Sequence, residues 1–407
     1  MPEPAPESII EPIDLENYAE VLLFAMETNR GARLKAGQVV VIRFDIGAVR
    51  VAEALYSLAM DRHLNPVPMV LPTPLMEGER YINSSFGQLV FQQPGLGELY
   101  DQASGVVTIY SPNSLTHLAN IDPRSIAEGR KAMELAGRVL ERRKRSGQLG
   151  WTSCVFPSSA LARGAGMELA EYEEHWLRAC LLRSPEPVKQ WKRVKKELDT
   201  IAMGLTSLGA EALHVESEQI DLTVYPGERR RFMGFTGANV PGCEVFVSPD
   251  CRRTQGVYFA DQPSIFQGRV VRGVRLHFDG GVAARAEAEA NGAFVQSQLF
   301  IDAGARRLGE FSLTDKRFSQ VSRFMAHTIL DENVAGEHGN CHVALGGFLP
   351  ATFAGPPEEL TPELERSLGF NASGIHWDLV STANRRVSAL VPGQGRMTVY
   401  EDGEFLL

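Results

Sequence analysis

The segment GIHWDLV, residues 374–380, brings an imidazole and a carboxylate within two residues of each other. Its β-branched and aromatic residues favour a strand, in which successive side chains point to opposite faces. His376 and Asp378 are therefore expected on one face and Trp377 on the other. Such a pair can bind one metal ion, although Asp378 can instead orient a structural histidine.

The segment EHGNCHVALGGFLP, residues 337–350, adds two histidines four positions apart. His342 enters a run of small and apolar residues, where a buried imidazole needs partners for both ring nitrogens. It is therefore either a metal ligand or a hydrogen-bonded core histidine. His338 lies in a polar, glycine-interrupted stretch that is typical of a loop, where an exposed side chain is the ordinary outcome.

Two glutamates stand in otherwise apolar or turn-like surroundings. Glu244 opens a predicted strand after a Pro-Gly turn in NVPGCEVFVSPD, and Glu310 follows a glycine in RRLGEFSL. Burying a carboxylate is costly without a cation or strong donors, whereas a helix start is the competing role for Glu310. With His342, His376 and Asp378 they make two imidazoles and three carboxylates. This set suits two divalent cations that share one bridging carboxylate, the arrangement of co-catalytic hydrolases.

The elements that must position these groups fall into two halves. In the first, DLENYAEVLLFAMETN predicts a helix with Asp14 as its cap, and residues 37–72 predict a β-α-β unit. GVVTIYS and GWTSCVF repeat the strand pattern on either side of a long predicted helix, residues 122–145. This alternation predicts an α/β domain with a doubly wound, mostly parallel sheet.

The second half has a different pattern of short strands and turns, from ALHVES to RMTVYEDGEFLL. It predicts an α+β domain that is mostly antiparallel and carries the metal-binding groups. We therefore expect a flexible tail over residues 1–12, an α/β domain over residues 13–205 and a catalytic domain over residues 206–407.

Composition excludes several classes of protein. The chain has 407 residues and a formal charge of −9 without a basic patch, which argues against nucleic acid and anionic membranes as partners. No apolar run approaches the ~20 residues that span a bilayer.

Five cysteines without CxxC spacing favour neither a disulfide framework nor a thiolate zinc site, and so indicate a reducing, cytoplasmic compartment. HExxH, GxSxG and a complete dinucleotide-binding glycine motif are also absent.

Several segments, taken together and in order, resemble the thermophilic metallopeptidase family that contains aminopeptidase T and aminopeptidase S. They are NVPGCEVFVSPDCRRTQGV, QGRVVRGVRLHFDGG, GARRLGEFSL, DENVAGEHGNCHVALG and NASGIHWDL. The resemblance covers residues 200–407 well and the first half only in its β-α-β layout.

The resemblance implies a leucyl-type aminopeptidase that acts on peptides. It also implies two divalent metal ions, typically zinc, cobalt or manganese, and a homodimer with an enclosed active-site cavity. The family's histidine matches His342 and not His338, because it directly precedes a short apolar-Ala-apolar-Gly run. The ligands implied by position are Glu244, Glu310, His342, His376 and Asp378, with Glu310 as the candidate bridge.

The sequence departs from the family pattern in three places. Leu349 stands where the family usually has a tyrosine that helps to bind the reacting group, and losing one oxyanion donor lowers a rate on the order of 10²- to 10³-fold. The segment before His342 is longer than usual and contains His338. Cys243 stands where a second glutamate is common.

Three explanations of these departures compete. In the first, His338 replaces the tyrosine as a catalytic donor and the chain remains a peptidase. In the second, His342, His376 and Asp378 bind one Fe(II), as in the ring-cleaving dihydroxypyridine dioxygenases that are similar to this family. In the third, the protein is a catalytically silent metal-binding or scaffold protein. The peptidase-like segments around the two glutamates favour a peptidase.

Overall fold

The computed structural model of the chain describes residues 8–122, 125–126, 128–129 and 134–407. The first half alternates helices and strands. Its elements are α1 (Pro12–Arg30), β1 (Val39–Phe44), α2 (Val49–Asp61), β2 (Asn65–Val70), α3 (Pro74–Asn83), α4 (Phe86–Leu89), α5 (Leu96–Gln102), β3 (Ala103–Tyr110), α6 (Glu134–Arg145), β4 (Gly150–Val155), α7 (Ser159–Gly164), α8 (Leu169–Ala179) and α9 (Pro187–Leu208).

The first four strands form a parallel sheet in the order β2-β1-β3-β4. Val40 and Ile42 of β1 pack into the core beneath α1 and α2, whereas Val41 packs into a second cluster with Tyr100 of α5. A strand that is buried on both faces is a continuous apolar run, which is why VVVI lacks polar alternation. The predicted doubly wound α/β fold is confirmed.

The start of the chain differs in detail from the prediction. α1 begins at Pro12, and the backbone N–H of Glu11 donates to the Asp14 carboxylate at 2.9 Å, so Asp14 lies inside the first turn instead of capping it. The backbone N–H of Ile9 donates to Glu173 at 2.8 Å, which ties the predicted tail to α8 from this point. Residues 1–7, like part of the helix predicted over residues 122–145, lie outside the described residues.

The second half consists mainly of strands. Its elements are β5 (Ala212–Glu216), β6 (Asp221–Val224), β7 (Asn239–Val240), β8 (Glu244–Val247), β9 (Gln255–Ala260), β10 (Ser264–Phe266), β11 (Arg269–Val271), β12 (Val274–Asp279), β13 (Val282–Glu287), α10 (Gly292–Leu299), β14 (Leu308–Thr314), α11 (Thr328–Asp331), β15 (Asn340–Gly346), α12 (Pro362–Ser367), β16 (His376–Ser381), β17 (Arg386–Val391), β18 (Gly395–Glu401) and β19 (Glu404–Phe405).

Most of these strands form two antiparallel sheets, which confirms the predicted mostly antiparallel pattern, and β10 pairs separately with β11. An eight-stranded sheet has the order β13-β12-β9-β6-β5-β17-β18-β19, and a four-stranded sheet has the order β16-β15-β14-β8. The hydroxyl of Tyr258, on β9, donates to the backbone carbonyls of Cys341 and Leu379 at 2.8 and 2.7 Å and so links the two sheets. The four-stranded sheet positions the site described below.

The two halves share one sheet edge. β7 pairs in parallel with β4 and becomes the fifth strand of the first sheet, although it lies beyond residue 205. α9 also continues across that position to Leu208. The domain boundary at residue 205 stays a prediction, and sheet pairing does not divide the chain there. None of the described helices is long and apolar enough to cross a membrane.

Candidate metal centre

The four-stranded sheet presents the predicted ligands on one face. Ala344 of β15 pairs with Glu310 of β14 on one side and with Asp378 of β16 on the other. Directly paired residues of antiparallel strands turn their side chains to the same face, and residues two positions along the same strand do so as well. The alternation therefore adds His342 and His376 to this face.

Glu244, Glu310 and His342 form the first group of ligand atoms. His342 Nε2 lies 3.2 Å from Glu244 Oε2 and 3.8 Å from Glu310 Oε1. The hydroxyl of Ser312, which is also on this face of β14, donates to Glu244 Oε2 at 2.8 Å. All three potential ligand atoms lie within 4.8 Å of one another, close enough to coordinate a single ion.

Glu310, His376 and Asp378 form the second group. His376 Nε2 lies 3.1 Å from Glu310 Oε2 and 3.3 Å from Asp378 Oδ1. The hydroxyl of Thr328, the first residue of α11, donates to Asp378 Oδ2 at 2.8 Å. Glu310 thus directs one carboxylate oxygen to each group, which is the geometry of a bridging ligand.

The donor set fits divalent cations. His376 Nδ1 donates to the backbone carbonyl of Gly347 at 2.8 Å, so the neutral ring has a free lone pair on Nε2 for a ligand. His342 Nδ1 is buried and has no hydrogen-bond partner among the described residues. Three largely buried carboxylates gathered with two imidazoles favour the binding of positive charge, and they are ligands that zinc, manganese and iron accept.

The pKa values of Glu244 and His342 also indicate that the cluster favours positive charge. Burial raises the pKa of Glu244 to about 7, and the neighbouring Glu310 carboxylate adds to the rise. Burial alone would lower the pKa of His342, but the negative charges of the Glu310 and Glu244 carboxylates outweigh burial and raise the pKa to about 9. Protons therefore occupy the cluster in the absence of cations, and metal ions must displace them.

The ligand cluster lines a cavity of about 940 Å³. Glu332 also lines it and is buried, and its Oε1 accepts a hydrogen bond from the Asn239 side chain at 2.8 Å. Burial and the charge of Glu244 raise the pKa of Glu332 well above its usual value. This residue was not among the site residues predicted from the sequence. The sequence feature that could have indicated Glu332 is the acidic DEN stretch, which lies near the predicted ligands along the chain. Spacing alone does not show that the Glu332 carboxylate faces these ligands.

The structure does not bring His338 to the ligand cluster. The carbonyl of His338 accepts a hydrogen bond from Arg385 at 3.3 Å, and its Nε2 lies 3.9 Å from Glu337. It precedes β15, whereas His376 pairs with Gly346 at the other end of that strand. The explanation in which His338 replaces the tyrosine therefore gains no support from the geometry.

The structure also describes the surroundings of the other two departures, Leu349 and Cys243. Leu349 lines the cavity together with Phe348, so the position of the family tyrosine is apolar here. Burial raises the pKa of the Cys243 thiol to about 12, which keeps it protonated in the absence of a metal ion.

Comparison with known proteins agrees with this architecture. Aminopeptidase PepS of Streptococcus thermophilus is 22% identical over 97% of this chain and 98% of its own length. Aminopeptidase T of Thermus aquaticus is 28% identical over 63% of each chain. The structure of wild-type AmpT from Thermus thermophilus superposes with a TM-score of 0.80 at 22% identity and covers 96% of this chain and 99% of that one, which shows the same fold.

The sequence profile of the thermophilic metalloprotease (M29) family matches residues 12–405, nearly the whole chain. The matched region includes every residue of the two ligand groups. The chain therefore belongs to the thermophilic metalloprotease (M29) family and is a hydrolase.

Proposed function

We propose that this protein is an aminopeptidase that removes N-terminal residues from peptides with the help of two divalent cations, which are zinc, cobalt or manganese. The observation that carries the proposal is the position of Glu310, whose two oxygens face two different groups of ligand atoms. A site for one ion has no need of a carboxylate shared in this way.

The five predicted ligands form two groups, one for each proposed cation. Glu244 and His342 would hold one cation, His376 and Asp378 the other, and Glu310 would bridge them. Bound there, the two cations would supply a water of lowered pKa and would polarise the scissile carbonyl. Ser312 and Thr328 keep the Glu244 and Asp378 carboxylates in place.

Glu332 is the proposed proton acceptor. It is a buried carboxylate on the cavity wall that belongs to neither ligand group. The hydrogen bond from Asn239 holds one of its oxygens, which leaves the other for a proton from the attacking water.

The cavity wall favours an apolar N-terminal side chain, because Phe348 and Leu349 line it beside the ligands. The missing tyrosine hydroxyl at Leu349 is expected to slow turnover without changing the reaction. A single-iron dioxygenase is disfavoured, since it would leave Glu244 and Glu310 as two buried carboxylates without a role.

We also propose a homodimer in a reducing compartment, as the resemblance and the cysteines imply. All five cysteines are buried and unpaired. Residues 75–91 expose large apolar side chains, including Leu75 at 74% and Phe86 at 69% exposure, more than a solitary chain usually leaves in water. Burying this patch against a second copy would account for it.

The test is elemental analysis of metal per chain after loading with zinc, cobalt or manganese, together with hydrolysis of leucine-4-nitroanilide and light scattering on the same sample. We expect about two ions per chain, turnover, and a mass twice the 44.7 kDa of the chain. Glu310→Gln is expected to lose both ions and activity, whereas Glu218→Gln, at an exposed position, controls for the substitution itself. One iron per chain without hydrolysis would overturn the proposal.

A further inference from the structure

His327 is a cavity-lining histidine outside both ligand groups. It is the residue before α11, and its Nδ1 accepts a hydrogen bond from the backbone N–H of Ile329 at 3.3 Å. Its ring lies 5.5 Å from the ring of Tyr110, at the end of β3, which lines the same cavity. The ring is therefore fixed both by the start of a helix and by a side chain from the first half of the chain.

The hydrogen bond at Nδ1 determines where the proton of the ring lies. Because Nδ1 accepts, a neutral ring carries its proton on Nε2. Burial lowers the pKa of His327 to about 4, so the ring is neutral near pH 7. No described residue accepts a hydrogen bond from Nε2–H, and a ring that lines a cavity presents this donor to whatever occupies the cavity.

The same turn is attached to the ligand cluster. Thr328 follows His327 directly, and its hydroxyl holds Asp378 at 2.8 Å. The donor on His327 and the carboxylate of Asp378 are thus carried by one short segment and share one cavity. A neutral N–H donor attracts an uncharged acceptor and gives no advantage to an ammonium group. In a peptide, that acceptor is a main-chain carbonyl oxygen.

We propose that His327 binds the substrate by donating its Nε2–H to a main-chain carbonyl oxygen of the peptide in the cavity. This inference rests on the proposed aminopeptidase function and names a residue that selects peptides over simple amines. His327 is a substrate-binding residue in this scheme, and its position before α11 aligns the peptide with the ligand cluster.

Two substitutions separate this role from a structural one. His327→Asn keeps an acceptor near Nδ1, where asparagine is among the best helix caps, but its short side chain has no donor at the position of Nε2. His327→Gln places an amide near Nε2 and loses the cap. We expect the Asn variant to retain its melting temperature and to lose roughly two- to tenfold in peptide affinity, the effect of one neutral hydrogen bond. We expect the Gln variant to melt lower and to recover most of that affinity.

The measurements are calorimetric binding of Leu-Gly-Gly to the metal-free protein, where it is not cleaved, and kcat/KM for its hydrolysis after metal loading. Parallel losses in both assays for His327→Asn, with recovery in His327→Gln, support the inference. Equal affinity in the wild type and His327→Asn overturns it, as does an absence of binding to the wild type. Binding by the wild type without hydrolysis after loading would instead refute the aminopeptidase.

Discussion

At the scale of single residues, Glu332 differs from the ligands in what its carboxylate contacts. Each predicted ligand has a side-chain nitrogen or carboxylate oxygen of another ligand within 4 Å, whereas the Glu332 carboxylate accepts a hydrogen bond from the amide of Asn239. In the proposed mechanism, a carboxylate in this position would be free to exchange a proton while the proposed ligands hold metal.

We expect Glu332→Gln to lower kcat by about 10²- to 10⁴-fold, the usual contribution of a general base, without loss of metal. Glutamine is nearly isosteric, and its amide oxygen still accepts the hydrogen bond from Asn239, so the local structure is retained. Metal content and kcat measured on the same preparation test this expectation. Asn239→Asp is the matched comparison, because it removes the donor and leaves the Glu332 carboxylate. A Glu332→Gln variant with normal kcat would show that the base lies elsewhere.

At the scale of elements, the site depends on the alternation of side chains in β14, β15 and β16. Ala344 pairs directly with Glu310 and Asp378 and is fully buried, so its small side chain leaves room between the two carboxylates. A larger side chain would project into the space where the second cation is expected.

Ala344→Val should therefore reduce metal content from about two ions per chain towards one. Loss of the strand is not expected, because valine has a higher strand propensity than alanine. The expected stability cost of overpacking is about 1–3 kcal/mol. Ala389→Val, at an equally buried position in β17, controls for overpacking alone and should keep both ions. Elemental analysis and thermal melting of the two variants test the prediction; equal metal loss in both would contradict it.

Alternation also explains how much of the site was predictable from sequence. His376 and Asp378 were placed on one face by strand periodicity alone, and the structure has them there, 3.3 Å apart. The pairing of β14 with β15 and β16 joins residues far apart in the chain, so the shared position of Glu310 needed the tertiary register. His327 and Glu332 escaped prediction for a related reason: they flank a four-residue helix that no periodicity reveals.

At the scale of the whole molecule, the two halves meet at the site. β7 extends the first sheet and carries Asn239, which holds Glu332, while Tyr110 at the end of β3 packs on His327. The parallel sheet was predictable because strand patterns alternate with helical patterns along the first half, and because β1 contains the continuous apolar run VVVI. Its fifth strand was not, since β7 has only two residues and is recruited by contact with β4.

The burial of His327, where the two halves meet, is expected to make the free energy of unfolding depend on pH in the acidic range. Burial lowers the pKa of this histidine from 6.5 to about 4 in the folded chain. Between these pH values the unfolded chain binds a proton that the folded chain does not, so the free energy of unfolding falls as the pH is lowered through this window. The stability conferred by a neutral His327 is complete above pH 6.5 and is lost towards pH 4.

The loss attributable to His327 is at most about 3 kcal/mol, because one pKa unit corresponds to ~1.4 kcal/mol. His327→Asn keeps the helix cap and cannot titrate, so its free energy of unfolding should fall less than that of the wild type across the same window. Chemical denaturation of both metal-free proteins at several pH values measures the difference, in which the titration of the ligand carboxylates largely cancels because both proteins share them. If the free energies of unfolding of the two proteins change equally with pH, the His327 ring is accessible to protons in the folded state. Water would then reach the contact between the two halves at His327.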